Sequence, residues 1–171
     1  MPRYAAFLRG VSPMNLKMPD LKQCLENAGF TNVKTLLSSG NAVFDASSRS
    51  ETAIARKVET ALTKQLGRTF QTIVRSTHYL QKLIDADFYA AFKLPPNAKR
   101  IVTFLPAPVK TKPTLPPEKD GARILIVSGG EAFSAYVPDP GNPAFMVVIE
   151  KTLGKNVTTR TWDTVKKCAN A

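Results

Sequence analysis

Five residues near the start of the chain, Tyr4-Ala5-Ala6-Phe7-Leu8, form an unbroken apolar run that stops at Arg9-Gly10. A run this short with no polar alternation is the pattern of a strand buried on both faces, so the remaining sequence has to supply two covers for it. The run empties into Val11-Ser12-Pro13-Met14-Asn15-Leu16-Lys17-Met18, a basic loop that leads to an amphipathic helix. A buried strand opening into a basic loop at a helix N-terminus is where an anion is expected.

The first helix starts around Pro19, with Asp20 beside it at the positive end of the dipole. Its apolar stripe is Leu21, Cys24, Leu25 and Ala28, at spacing i, i+3, i+4, i+7. Gly29 stands at the C′ position, and Phe30 supplies the hydrophobic contact after it. Residues 33–37 read as a second strand, Ser38-Ser39-Gly40-Asn41 as a turn, and residues 42–45 as a third strand. A second helix follows over 51–66, capped by Ser50, with Ile54, Val58, Ala61 and Leu62 on its buried face and Gly67 at its end. Residues 69–75 make a fourth strand.

This order, βαββαβ, is the ferredoxin-like arrangement. In it the first two strands run parallel with the antiparallel third between them. The loop over 9–17 and the turn over 38–41 therefore leave the sheet at the same edge.

In the second half, Ser76 caps a helix that runs to Ala86 and is striped by Leu80, Leu83 and Ile84. A strand at 100–105 precedes a connection rich in proline (Pro106, Pro108, Pro113, Pro116, Pro117), which reads as an exposed, partly extended loop. Residues 122–127 and 132–137 flank Ser128-Gly129-Gly130-Glu131 as a hairpin. A turn cluster over 138–143, a helix over 144–153 and a strand over 156–159 follow. Thr161 caps a last helix with Trp162, Val165 and Ala169 on its buried side. The expected class is α+β, with a ferredoxin-like βαββαβ half over 1–75 packed with a related α+β subdomain over 76–171 that shares its core. There is no close sequence repeat between the two.

These pieces resemble a bacterial family numbered 1697 among the domains of unknown function. The resemblance rests on Arg3-Tyr4 to Leu8-Arg9-Gly10-Val11, Lys17-Met18-Pro19 with Leu21, Ala28-Gly29-Phe30 to Val33, Ser38-Ser39-Gly40-Asn41-Ala42-Val43-Phe44 and Thr158-Thr159-Arg160-Thr161-Trp162-Asp163-Thr164. It implies a two-subdomain α+β fold and no particular activity, cofactor or substrate. Many members carry a Gly-Gly pair and extra Lys in the first loop. Here Ser12-Pro13-Met14-Asn15 stands instead, so a phosphate cradle of glycine amides is not expected.

The net charge is +11. It is spread evenly: residues 1–75 hold 11 Lys and Arg against 5 Asp and Glu, giving +6, and residues 76–171 hold 13 against 8, giving +5. With no basic tail or arm, a cationic soluble protein is the plainer reading and nucleic-acid binding the second. No apolar run approaches the ~20 residues of a membrane span, and the short opening run does not fit a signal peptide. A cytoplasmic protein without a membrane partner is expected. Cys24 and Cys168 read as buried small hydrophobes. With a single histidine they make no metal cluster, so neither metal nor cofactor is expected.

No catalytic constellation stands out. His78 is the only histidine, no acid precedes Asp20, and there is no P-loop, dinucleotide fingerprint or zinc-ligand spacing. The aromatic sheet motif of RNA-recognition domains is absent from residues 4–8 and 42–44. The ligand candidates are Arg9, Asn15, Lys17, Ser39 and Asn41 at the shared edge, joined by Arg160, which has no evident local role. Against each stands a plainer role: Arg9 paired with a carboxylate such as Asp139 or Asp163, and Ser38 to Asn41 as a tight turn. The expected function is binding of an anionic ligand, either a phosphorylated small molecule or nucleic acid. The alternative is an enzyme acting on a phosphorylated or carboxylated substrate that its basic residues position.

Overall fold

The computed structural model describes residues 1–141 and 143–171, and the chain divides into two compact units, residues 1–85 with 166–171 and residues 86–165. Each unit holds a four-stranded antiparallel sheet with helices, so the fold is α+β, as expected.

The first unit runs β1 (Arg3–Leu8), α1 (Met18–Asn27), β2 (Thr31–Leu36), β3 (Asn41–Asp45), α2 (Glu51–Leu66), β4 (Thr72–Ser76) and α3 (Thr77–Ala86). The strand order is β2-β3-β1-β4. β1 pairs antiparallel on both sides, with Phe7 opposite Asn41 of β3 and opposite Ile73 of β4. β3 also pairs antiparallel with β2, so β1 and β2 run parallel with β3 between them.

Both faces of β1 are buried. Tyr4, Ala6 and Leu8 join Leu21 and Leu25 of α1 and Ile54, Val58 and Leu62 of α2 in one apolar cluster. Ala5 and Phe7, on the opposite face, are 0% exposed. The two covering helices end as their sequences dictate. The Ser50 side chain accepts from the Ala53 amide at 3.1 Å, and Gly67 closes α2 in the left-handed region at φ +68. Ser76 likewise accepts from the Tyr79 amide at 3.1 Å and caps α3.

In the second unit, β5 (Lys99–Phe104), β6 (Ala122–Ser128), β7 (Glu131–Tyr136) and β8 (Thr158–Thr161) lie in the order β6-β7-β5-β8, with α4 (Ala144–Leu153) between β7 and β8. β5 thus takes the place that β1 has in the first sheet. The connection that holds α1 in the first unit is here the proline-rich strap, which has no helix, because proline within a helix removes an amide donor and clashes with the preceding turn. Val109 of the strap packs against the cluster of Leu105, Ile124, Val148 and Ile149, and its amide donates to the Gly129 carbonyl at 3.0 Å. α5 (Trp162–Ala169) follows β8, and the Thr161 hydroxyl accepts from the Thr164 amide at 3.2 Å.

Several expectations shift. β4 begins at Thr72 rather than at 69, since Thr69 still bonds back to the Thr63 hydroxyl of α2 at 2.7 Å. β8 spans Thr158–Thr161 rather than 156–159, because its pairing with β5 sets Thr158 against Phe104 and Thr161 against Ile101. Cys168, not Ala169, continues the buried side of α5. A 3-10 turn at Phe88–Ala91 was not anticipated. It buries Tyr89, whose hydroxyl donates to the Ile101 carbonyl at 2.6 Å. The turn expected over 138–143 includes Asn142, which lies outside the described residues.

Gly40 is the most closely packed of the first unit's glycines. It sits at φ +89, and a Cβ there would lie 2.8 Å from Val11 Cγ2 and 3.0 Å from Leu8 Cβ, whereas Gly10 at φ +77 faces open space. Gly10→Ala should cost about 1 kcal/mol of backbone strain, and Gly40→Ala about 2–4 kcal/mol because overlap is added. Urea midpoints measure the difference, and equal losses would refute the close approach.

At the other end of the sheet, Asp45 accepts from Asn32 Nδ2 at 2.6 Å and from Arg3 Nη1 at 2.9 Å. Asn32 first and Arg3 second hold its carboxyl below the ordinary value. A carboxyl lowered on folding stabilises the fold above its unfolded value of about 4 and loses that contribution as pH falls through its folded value. The stability gap between wild type and Asp45→Asn should therefore close on moving from neutral to acid pH. A gap constant across that range would show that Asp45 titrates normally.

Candidate functional site

β1 delivers its C-terminal residue to an edge where three segments meet. The Leu8 amide donates to the Gly40 carbonyl and the Arg9 amide to the Gln71 carbonyl, both at 2.9 Å, so the strand end is held on each side before the loop begins. Gly40 lies against Val11. The loop over 9–17 and the β2–β3 turn are therefore neighbours, as the strand order requires. The segment entering β4, with Arg68, joins them: Arg68 Nη1 donates to the Asn15 carbonyl at 2.8 Å.

The sequence candidates divide at this edge. Asn15 uses both ends of its amide within the loop, accepting from the Ser12 amide and donating to the Gly10 carbonyl, each at 2.8 Å. Asn41 is 0% exposed. It donates to the Leu36 carbonyl and to Ser39 Oγ, both at 3.0 Å, and so closes the turn. These two asparagines shape the edge from within.

Arg9 is half-buried and Lys17 exposed, and neither side chain pairs with a carboxylate among the described residues. Asp139 and Asp163, the expected alternative partners of Arg9, belong to the second unit. Lys17 occupies the N-cap of α1 in extended conformation, and no side chain caps that helix. Arg160 belongs to the second unit, on β8, where its Nη1 donates to the Thr159 carbonyl at 2.8 Å.

Arg68 is the residue the sequence reading missed. Its signal was topological: it follows the Gly67 cap of α2, and a strand antiparallel to β1 has to begin where β1 ends.

The three segments 8–17, 36–41 and 67–72 carry Arg9, Lys17 and Arg68 and contain no Asp, Glu or His. Two large apolar side chains stand exposed on the same segments, Met14 at 93% and Leu37 at 51%, so the edge offers apolar contact beside its charge. Asp20 stands in the first turn of α1, three residues beyond Lys17, and two other carboxylates of the unit serve its backbone. Glu59 Oε1 accepts from the Thr72 amide at 3.1 Å and Glu51 Oε2 from the Ser76 amide at 2.7 Å. His78 is exposed on α3, which follows the far end of β4, and is not placed to serve as a base at this edge. Both cysteines are buried and form no disulfide, and burial pushes the Cys24 thiol up. Among the described residues no three His, Cys, Asp or Glu side chains gather to hold a metal ion.

Comparison with known proteins adds a family and a fold. A family model described as "Protein of unknown function (DUF1697)" matches residues 1–123. The solved structure of conserved bacterial protein SP0830 from Streptococcus pneumoniae is similar over 99% of this chain and 97% of that one, with a TM-score of 0.68 at 16% identity. No curated protein matches. At that identity the likeness concerns the fold.

Asn41→Ala should lower stability by about 1–3 kcal/mol, since it removes a buried side chain that donates to the part-buried Leu36 carbonyl and closes the turn. Ser39→Ala should cost less, because only one of the two bonds from Asn41 is lost. Denaturation of the two variants checks the ranking.

Proposed function

The chain belongs to the DUF1697 family of proteins of unknown function, and from its own residues we propose that it is a binding module that takes an anionic ligand at the C-terminal edge of β1. The observation that carries this reading is the gathering of Arg9, Lys17 and Arg68 on three adjoining segments that contain no acid. A guanidinium presents several N–H groups to an oxyanion and an ammonium adds a point charge, so together they suit a phosphate or carboxylate. The uncapped start of α1 adds its positive end.

Exposed Met14 and Leu37 favour a small molecule with an apolar body attached to its anionic group. Binding rather than catalysis is the reading preferred, because the edge segments hold no acid or histidine to move a proton.

A ferredoxin-like relationship for each unit is supported by the shared strand order, β2-β3-β1-β4 and β6-β7-β5-β8. A cytoplasmic site of action is supported by two buried cysteines that form no disulfide. No described helix is long and apolar enough to cross a membrane.

Pyrophosphate is a suitable probe. Its titration should shift the backbone amide resonances of residues 9–17. Arg9→Ala should weaken binding about 10- to 100-fold, the loss of one charge-assisted contact, and leave the melting temperature nearly unchanged. A fall of several degrees without any pyrophosphate effect would make Arg9 structural and end the proposal.

A further inference from the structure

Charge is segregated across α2. Glu51 and Glu59 lie eight residues apart on the flank toward β4, where their carboxylates accept from the Ser76 and Thr72 amides. On the flank toward α1, Arg56, Lys57, Thr60 and Lys64 line a groove of about 720 Å³ that is open to solvent. Asn27 and Gln65 join across it, Asn27 Nδ2 donating to Gln65 Oε1 at 3.2 Å, and Gln65 Nε2 donates to the Cys24 carbonyl at 3.1 Å.

The three cationic side chains are exposed and pair with no carboxylate among the described residues. Lys57 Nζ is held 4.8 Å from the centre of the Phe30 ring, which places its charge at the α1 end of the groove. The C-terminal end of α1 opposes an anion, but the amides of Ala28, Gly29 and Phe30 cover its last carbonyls by donating to Cys24, Glu26 and Leu25.

Arg56 and Lys64 are eight residues apart, about 12 Å along a helix axis. Phosphates of one duplex strand advance about 3.4 Å each along theirs, so this row spans about three or four of them. The aromatic ring nearest the groove, Phe30, is 4% exposed and lies under Lys57, which leaves no platform for unstacked bases. A backbone whose bases stay paired and stacked fits that lining.

We infer that the groove between α1 and α2 seats the sugar-phosphate backbone of a nucleic-acid duplex, held by Arg56, Lys57 and Lys64 without reading base sequence. This surface is separate from the β1 edge and does not depend on it.

The experiment is a titration of a fluorescent mixed-sequence DNA duplex across a range of salt. The contribution of three phosphate contacts is a log–log slope of about −2.7, a weakening of about 40-fold between about 50 and 200 mM salt. Arg56→Ala with Lys64→Ala should make the observed slope shallower by about 1.8, two contacts' worth. Arg56→Lys with Lys64→Arg, which keeps both charges, should retain the wild-type slope and shows that charge rather than folding is being read. An unchanged slope in the alanine pair overturns the inference. So does a single strand of the same sequence binding as tightly as the duplex, or equal competition by phosphatidylserine vesicles of matched charge. Arg9→Ala measured alongside separates the two surfaces: weaker pyrophosphate binding with duplex binding intact shows that they are independent, and no pyrophosphate effect with duplex binding intact removes only the first reading.

Discussion

β1 is bonded along both of its edges and buried on both of its faces, and the first unit is built outward from that condition. A strand so placed cannot slip. A shift of one residue would exchange the face of Tyr4, Ala6 and Leu8 for that of Ala5 and Phe7 and disrupt the packing of α1 and α2. The end of the strand is therefore fixed, and with it the point at which Arg9 leaves the sheet. Gly40 completes the arrangement, because its lack of a side chain lets the β2–β3 turn close onto Leu8 and Val11.

Three acids of the first unit serve the fold. Asp45 pins the start of β1 through Arg3 and also holds Asn32, while Glu51 and Glu59 receive amides at the two ends of β4. A carboxylate occupied in this way stands where a backbone donor needs it, not where a lysine does. Of the 11 Lys and Arg over residues 1–75, Arg9, Lys17 and Arg68 lie at the β1 edge and Arg56, Lys57 and Lys64 along the α1–α2 groove, while Lys22, Lys34 and Arg49 are exposed elsewhere.

The second unit repeats the strand order of the first without repeating its sequence. What differs most is the first crossover. Where α1 contributes Leu21, Cys24 and Leu25 to the core, the proline-rich strap contributes Val109 and anchors it with one backbone bond to Gly129. Prolines cannot build a helix interior, so an equivalent position in the fold is filled by chain with no helical periodicity to compare.

The sequence by itself determined the elements. Apolar runs marked the strands, stripes at 3.6-residue spacing marked the helices, and Ser50, Gly67, Ser76 and Thr161 marked ends that their hydrogen bonds or backbone angles bear out. The order βαββαβ also determined that the first loop and first turn would meet, because parallel β1 and β2 must open at one edge. Tertiary structure alone decided what the polar side chains at that meeting do. Asn15 and Asn41 have the chemistry of ligand donors, yet one is occupied within its loop and the other is buried under its turn. Arg68 arrives from 53 residues beyond Asn15 to complete the charge. Periodicity is local and can be read along the chain, whereas a charge is left uncompensated only when every segment that could answer it has been placed.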